Sequence, residues 1–379
     1  MKIKKLSAVL VALLATASAF VPLGAADAAY RFADFQATPP MHVFKSAQKT
    51  PSGVTPAEIK KIYNLPAAGG KGTIALIDAY DDANMESDLA AFDKQFNLPA
   101  CTTANGCFEK HKMATSTTSN SGWAMETSLD VEWAHAIAPS AKILLVEAKT
   151  PSGANLMNAV DYAVTRKDVV AVSMSWGGAE FSDELSEDSH FASKTSSSIA
   201  FFASSGDDGT GASWPASSPN VIGVGGTSLQ LASSGTLIAE SAWSGSGGGV
   251  SAYEKEPAYQ AAYKISKANG MRAIPDVSYD ADPASGYPIY ITTGTGTKKK
   301  GAWDTVGGTS AGAPQWAAIQ ALGDSTALDK FYADKASTST LKYFRDITSG
   351  SNGTCQYYCD ARKRYDYVTG LGSPQTTKF

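Results

Sequence analysis

Residues 307–318, GGTSAGAPQWAA, set Ser310 behind two glycines and ahead of a run of small residues. That is the pattern of a tight turn presenting a hydroxyl nucleophile where a helix begins. A hydroxyl attacks well only when a base within hydrogen-bond reach takes its proton. The chain has four histidines, His42, His111, His135 and His190, and none stands in a recognisable base motif. METSLD offers carboxylates instead. Glu126 and Asp130 are four residues apart, about 400 degrees of helix, which leaves them about 40 degrees apart on one face. Like charges at this spacing weaken a helix by roughly a few tenths of a kcal/mol unless they share a proton. Standing alone, such a pair also reads as a solvated acidic face. An unperturbed glutamate titrates near ~4.3 against ~6.5 for histidine, so a serine served by Glu126 would work best in acid.

A third carboxyl, Asp207 in SSGDDG, follows an apolar run and is expected at a strand end. Ionised, it would repel a developing oxyanion; protonated, it could donate a hydrogen bond to one. A conformational aspartate in a Gly-Asp turn is the other reading. His135 falls about 900 degrees beyond Glu126, on the opposite side of the helix, and is expected to pack near Trp133.

The elements that must position these groups alternate along the chain. Residues 73–80, 142–148, 169–175 and 198–204 are short apolar runs, as in strands buried on both faces. Helical patterns fill 83–96, 124–138 and 153–166. That order predicts a parallel sheet covered by helices on both sides. In such sheets functional groups collect where strands end and helices begin. The clusters SWGG (175–178), SSGDDG (204–209), GSGGGVS (245–251) and GGTS (307–310) fit that place, although each alone also reads as a turn. The folded region is expected to begin at TPAEIKKIYNLP, where Thr55 can cap a helix started by Pro56. Residues 29–51 are polar, poor in periodicity and too short to be a domain, which leaves 52–379 as one domain.

The first 28 residues carry three lysines, an apolar run and a small-residue stretch, the layout of a secretory signal cut after Ala28. A soluble exported protein is expected, with no membrane association after cleavage. A formal net charge of −4 excludes a basic nucleic-acid-binding surface. Four cysteines form two close pairs, and in an exported chain Cys101 with Cys107 and Cys355 with Cys359 are the favoured pairings among three connectivities. A zinc site is the weaker reading, since no C-x-x-C spacing occurs and no histidine is close in sequence to either pair.

Taken together, IALIDAYDD, ETSLD, AIAPSAKI, SMSWGG, ASSGDDG, WPASSPNVIGVGGTS, GGGVSAYEKEPAYQ, RAIPDVSYDADPASGYPIY, GGTSAGAPQWAA and RDITSG resemble the sedolisins, serine-carboxyl peptidases with a subtilisin-like fold. The resemblance spans nearly all of the chain after the signal. It implies an α/β, three-layer, mostly parallel sheet, with Ser310 as nucleophile, Glu126 as general base, Asp130 as its partner and Asp207 as oxyanion acid. Polypeptides are the implied substrates of an endopeptidase expected to be a monomer. Ser175, Trp176, Gly177 and Gly178, with Gly248 and Gly249, are expected to present backbone edges to an extended substrate. Asp78 stands where subtilisins carry a triad aspartate, yet without a partner histidine motif it reads as a polar residue at the crevice.

The resemblance also implies one calcium ion, held by Asp346, Asp366 and the carbonyls of Ile347, Arg362 and Arg364. Family members usually have glycine at the two arginine positions, and an ion-free loop tied by Cys355 and Cys359 is the rival. Sedolisins usually carry a large N-terminal prodomain, of which about two dozen residues between signal and catalytic region leave little room. Two other readings stay open: a neutral subtilisin-type peptidase using a histidine such as His135, and an inactive homologue that binds peptides.

Overall fold

Short apolar runs with side chains alternating between two faces build an eight-stranded sheet. The computed structural model describes residues 30–115, 118–195, 198–294, 299–323, 327–333 and 343–377; the expected signal, residues 1–28, lies outside them. Across the sheet the strands run Leu237–Ala242, Ile222–Leu231, Ala200–Ser204, Val169–Met174, Thr73–Ala79, Lys142–Ala148 and Phe108–Lys112, and Val277–Asp280 pairs with Ile222–Leu231. The pairings are parallel except that of Leu237–Ala242 with Ile222–Leu231.

The period of two assigns each strand to two cores at once. Ile74 and Leu76, with Ile143 and Leu145, enter one; Ala75 and Ile77, with Leu144 and Val146, enter the other. The helices Met85–Phe96, Ser121–Ile137 and Gly312–Leu322 lie over the first core, and Gly153–Val164 lies over the second. Three layers result, as the strand order predicts.

Differences from the sequence reading have local causes. The Ser121–Ile137 helix begins three residues before the expected start because the Asn120 side chain accepts from the amides of Gly122 and Trp123. Phe108–Lys112, FEKHK, is a strand without an apolar run, an edge that carries lysines. A separate antiparallel sheet joins His42–Gln48, Lys300–Gly307 and Tyr287–Thr293. The polar N-terminal stretch thus contributes a strand. Thr55 caps the Pro56–Ile62 helix through a reciprocal bond with Glu58, as expected. Among the described residues no helix is long and apolar enough to cross a membrane.

Candidate active site

Ser310 sits in a one-turn segment, Thr309–Ala311, that runs into the Gly312–Leu322 helix. Gly308 before it has φ 127°, and a Cβ there would meet the Pro40 carbonyl oxygen at 2.3 Å and Asp207 Oδ2 at 2.5 Å. Only glycine fits that turn. Ser310 is fully buried. Its amide donates to Pro40 O at 3.4 Å, and its hydroxyl donates to Ser175 O at 3.4 Å.

Glu126 and Asp130 lie fully buried on one face of the Ser121–Ile137 helix. Asp130 Oδ1 accepts from the Ser175 hydroxyl at 2.7 Å. Neither Glu126 oxygen, nor Asp130 Oδ2, accepts a hydrogen bond from the described residues. Burial pushes the Glu126 carboxyl well above the usual range; the charge of Asp78 raises it further, while the nearby Ser310 hydroxyl lowers it. Burial and then the charge of Glu126 likewise raise Asp130, against the Ser175 hydroxyl. Two such carboxyls ionise as one coupled unit, and once one proton leaves, the pair holds the other. Asp78 is closer to this unit than its sequence suggests. It is fully buried, with its own carboxyl raised by burial and by Asp130.

Asp207 follows the Ala200–Ser204 strand and packs under the Ser310 turn. Its Oδ1 accepts from the amide and hydroxyl of Thr309, both at 2.8 Å. Its Oδ2 meets His42 Nε2 at 3.2 Å. Burial raises its carboxyl above the ordinary value, although His42 and Thr309 favour the charged form. The other histidines lie elsewhere. His135 is buried against Pro99 O, at 2.9 Å, and Asp93, with its imidazole kept below the usual value by burial. His111 stacks on Tyr162 and His190 pairs with Asp161. His42, to which the sequence attached no role, is the histidine in the crevice.

A cavity of about 390 Å³ opens beside Asp207, lined by Gly177, Gly178, Ser205 and Gly247. Gly177 offers its amide and carbonyl, and both are paired with Thr38. Trp176 points into the core and donates to Ile77 O at 2.8 Å. Gly248 pairs with Gly211 and Gly249 opposes Ile274, and the neighbouring Gly247 lines the cavity. A Cβ on Gly247 would lie 2.1 Å from Ser205 O, a contact with no signature in the sequence.

Toward the C-terminus, Asp346 accepts from the Arg364 amide at 2.9 Å, and Asp366 Oδ2 accepts from the Arg362 amide at 3.0 Å. Ile347 is buried beside them. Arg364 adopts φ 68°, a glycine-like conformation. Burial pushes Asp366 up to about 7 and also raises Asp346. Both carboxyls take backbone amides of one loop, and Asp366 takes those of Val368 and Thr369 as well; their oxygens are hard donors of the kind a calcium ion would take. Cys101 is bonded to Cys107 and Cys355 to Cys359. His135 does approach the first pair, contrary to its distance in sequence. Both thiols there are consumed in the disulfide, so the zinc reading has no thiolates to use.

This arrangement of a parallel sheet, a serine at a helix start, two carboxyls on a helix and a third beyond a strand end agrees with comparison to known proteins. The subtilase family model, Peptidase S8, matches residues 112–344, and the chain belongs to that family. Within it the similarity is to the sedolisins. The chain is 28% identical over 382 residues to sedolisin of Pseudomonas sp. (strain 101), covering 88% of this chain and 62% of the relative. It is 30% identical over 370 residues to kumamolisin of Bacillus sp. (strain MN-32), covering 87% and 63%. The chain thus spans under two thirds of the length of these curated relatives. The solved structure of Pseudomonas sedolisin, a serine-carboxyl proteinase complexed with two molecules of pseudo-iodotyrostatin, superposes with a TM-score of 0.71 at 27% identity, over 87% of this chain and 96% of that one. The fold is subtilisin-like, as the sequence resemblance implies.

Proposed function

We propose that the protein is an exported, acid-active serine-carboxyl endopeptidase. The observation that carries the reading is the joint burial of Glu126 and Asp130 beside Ser310, with no histidine in contact with the serine among the described residues. Ser310 attacks a peptide carbonyl as Glu126 accepts its proton, and Glu126 then gives that proton to the leaving amine. Asp130, tied to Ser175, orients Glu126 and shares its remaining proton. Neutral Asp207 and the Ser310 amide stabilise the tetrahedral oxyanion, and water then releases the acyl group from Ser310. An acid medium suits Asp207, which must keep a proton to donate one. Asp346 and Asp366, with carbonyls of Ile347, Arg362 and Arg364, would hold a calcium ion that fixes the C-terminal loop.

The neutral alternative through His135 loses support because that imidazole faces Pro99 and Asp93. Peptide hydrolysis measured from pH 2 to 8 tests the proposal. The wild type should peak in acid, and Ser310→Ala and Glu126→Gln should nearly abolish turnover. A neutral optimum lost on His135→Ala would reverse the assignment, and a lack of turnover at every pH would favour the peptide-binding homologue.

A further inference from the structure

His135 stands near the end of the Ser121–Ile137 helix and is fully buried, away from every group assigned to hydrolysis. Its Nε2 lies 2.9 Å from Pro99 O and 3.3 Å from Asp93 Oδ1. A carbonyl oxygen can only accept, so Nε2 carries the hydrogen and Nδ1 keeps a bare lone pair. Among the described residues nothing donates to that nitrogen. Buried polar atoms nearly always have a partner, and the surroundings of His135 contain a candidate.

A ring nitrogen of His135 and the Sγ atoms of Cys101 and Cys107 all lie within 4.8 Å of one another. Cys101 is buried and Cys107 half-buried, while residues 103–106 between them are exposed, so solvent reaches one side of the group. Asp93 touches both parts: its Oδ2 accepts from the Cys101 amide at 3.1 Å, and its Oδ1 faces the imidazole. A histidine that ligates a metal holds its second nitrogen on a carbonyl or carboxylate, which fixes the tautomer and frees the other lone pair for the metal. His135 has that arrangement already. Burial also keeps its imidazole neutral, the form that binds. Among the described residues no third ligand completes a comparable group around Cys355 and Cys359.

We infer that Cys101, Cys107 and His135 form a zinc site in the reduced chain: two thiolates and one imidazole nitrogen, with a water from the exposed side in the fourth position. Metal binding and the Cys101–Cys107 disulfide exclude one another, because each needs both sulfurs. The chain carries both thiols before it is oxidised, and a dithiol reductant restores them. In that step the Cys101–Cys107 bond breaks, two electrons and two hydrogens pass to its sulfurs, and the dithiol closes to its own cyclic disulfide. Zinc then displaces both thiol protons to solvent. It suits the set, since it takes sulfur and nitrogen in tetrahedral order without changing oxidation state. Bound, it would pin the 101–107 loop to the helix that carries Glu126 and Asp130, which the disulfide alone does not do. Acid reverses the binding, because each thiolate then regains its proton.

The test uses the full chain, reduced at pH 7 with a phosphine that becomes its oxide, and cobalt(II) as the probe. One equivalent should give sulfur-to-metal charge-transfer absorption and the intense visible bands of a tetrahedral thiolate site, and one equivalent of zinc should erase them. His135→Gln should weaken cobalt binding by about tenfold or more, and Cys101→Ser should remove most of the charge-transfer absorption. Cys355→Ser combined with Cys359→Ser should leave binding unchanged, and the oxidised chain should bind none. By pH 5 affinity should have fallen by about a hundredfold or more, as two protons return to the sulfurs. Zinc should also raise the thermal midpoint of the reduced wild type, because a ligand of the folded state stabilises it. That measurement needs no variant, so it stands even where His135→Gln fails to fold. Binding as tight in a folded His135→Gln as in the wild type overturns the site. So does loss of binding on replacing Cys355 and Cys359, or a midpoint that zinc lowers or leaves unchanged.

Discussion

Asp207 holds two amide- and hydroxyl-derived bonds on one oxygen and leaves the other to His42, so the second oxygen is the one free to face a substrate once His42 moves. If its role is donation by a neutral acid, the side chain must carry a hydrogen rather than a charge. Asp207→Ala should then cost about 100-fold or more in kcat at the acid optimum. Asp207→Asn, which donates without needing a proton, should recover a large part of that loss and hold its rate to higher pH than the wild type. Rates from pH 3 to 7 check this, and an asparagine variant as poor as the alanine would remove the acid from the oxyanion role. At this scale the sequence was informative where chemistry demands a residue type at a fixed spacing, as for Glu126 and Asp130 on one helix face. It was uninformative for His42, a half-exposed residue in an aperiodic stretch whose contact with Asp207 spans 165 positions and exists only through tertiary approach.

Among elements, the buried parallel strands were readable because both faces are apolar, which leaves a run such as ALI or ILLV with little alternative. The antiparallel sheet and the edge strand Phe108–Lys112 were not. Their residues include lysines and threonines that face water, and their register is set by partners far along the chain. The ligand set of the C-terminal loop came from the family resemblance rather than from any pattern of its own; Asp346 and Asp366 accept from amides of one arc, and calcium is the occupant we propose for it. A strong chelator should lower the thermal midpoint by roughly 5 °C, with recovery on adding calcium. A midpoint indifferent to chelation would leave the Cys355–Cys359 bond as what fixes the loop.

For the molecule as a whole, the buried acids set how stability depends on pH. Burial raises Asp88 to about 6 and Asp93, Glu147 and Glu254 to about 7, each against hydrogen bonds or cations where present. It holds Glu132 and Asp280 well above the ordinary range. The folded chain binds these protons more tightly than the unfolded one. Their contribution is therefore complete below the ordinary carboxyl range, near pH ~4, and is lost as pH climbs through the raised values. Glu109, held low by Arg166, pulls the other way, but such exposed pairs contribute little. Thermal unfolding should accordingly show a midpoint several degrees higher at pH 4 than at pH 8, and the reverse order would contradict this balance.

Glu126 and Asp130 ride on successive turns of one helix, whereas Ser310 and Asp207 hang from separate segments beyond it. Any small tilt or slide of that helix carries the two acids as a single rigid cargo. Their spacing from one another is thereby kept through disturbances that alter the gap to the serine, so damage to the packing beneath this helix would slow turnover while leaving the two acids side by side.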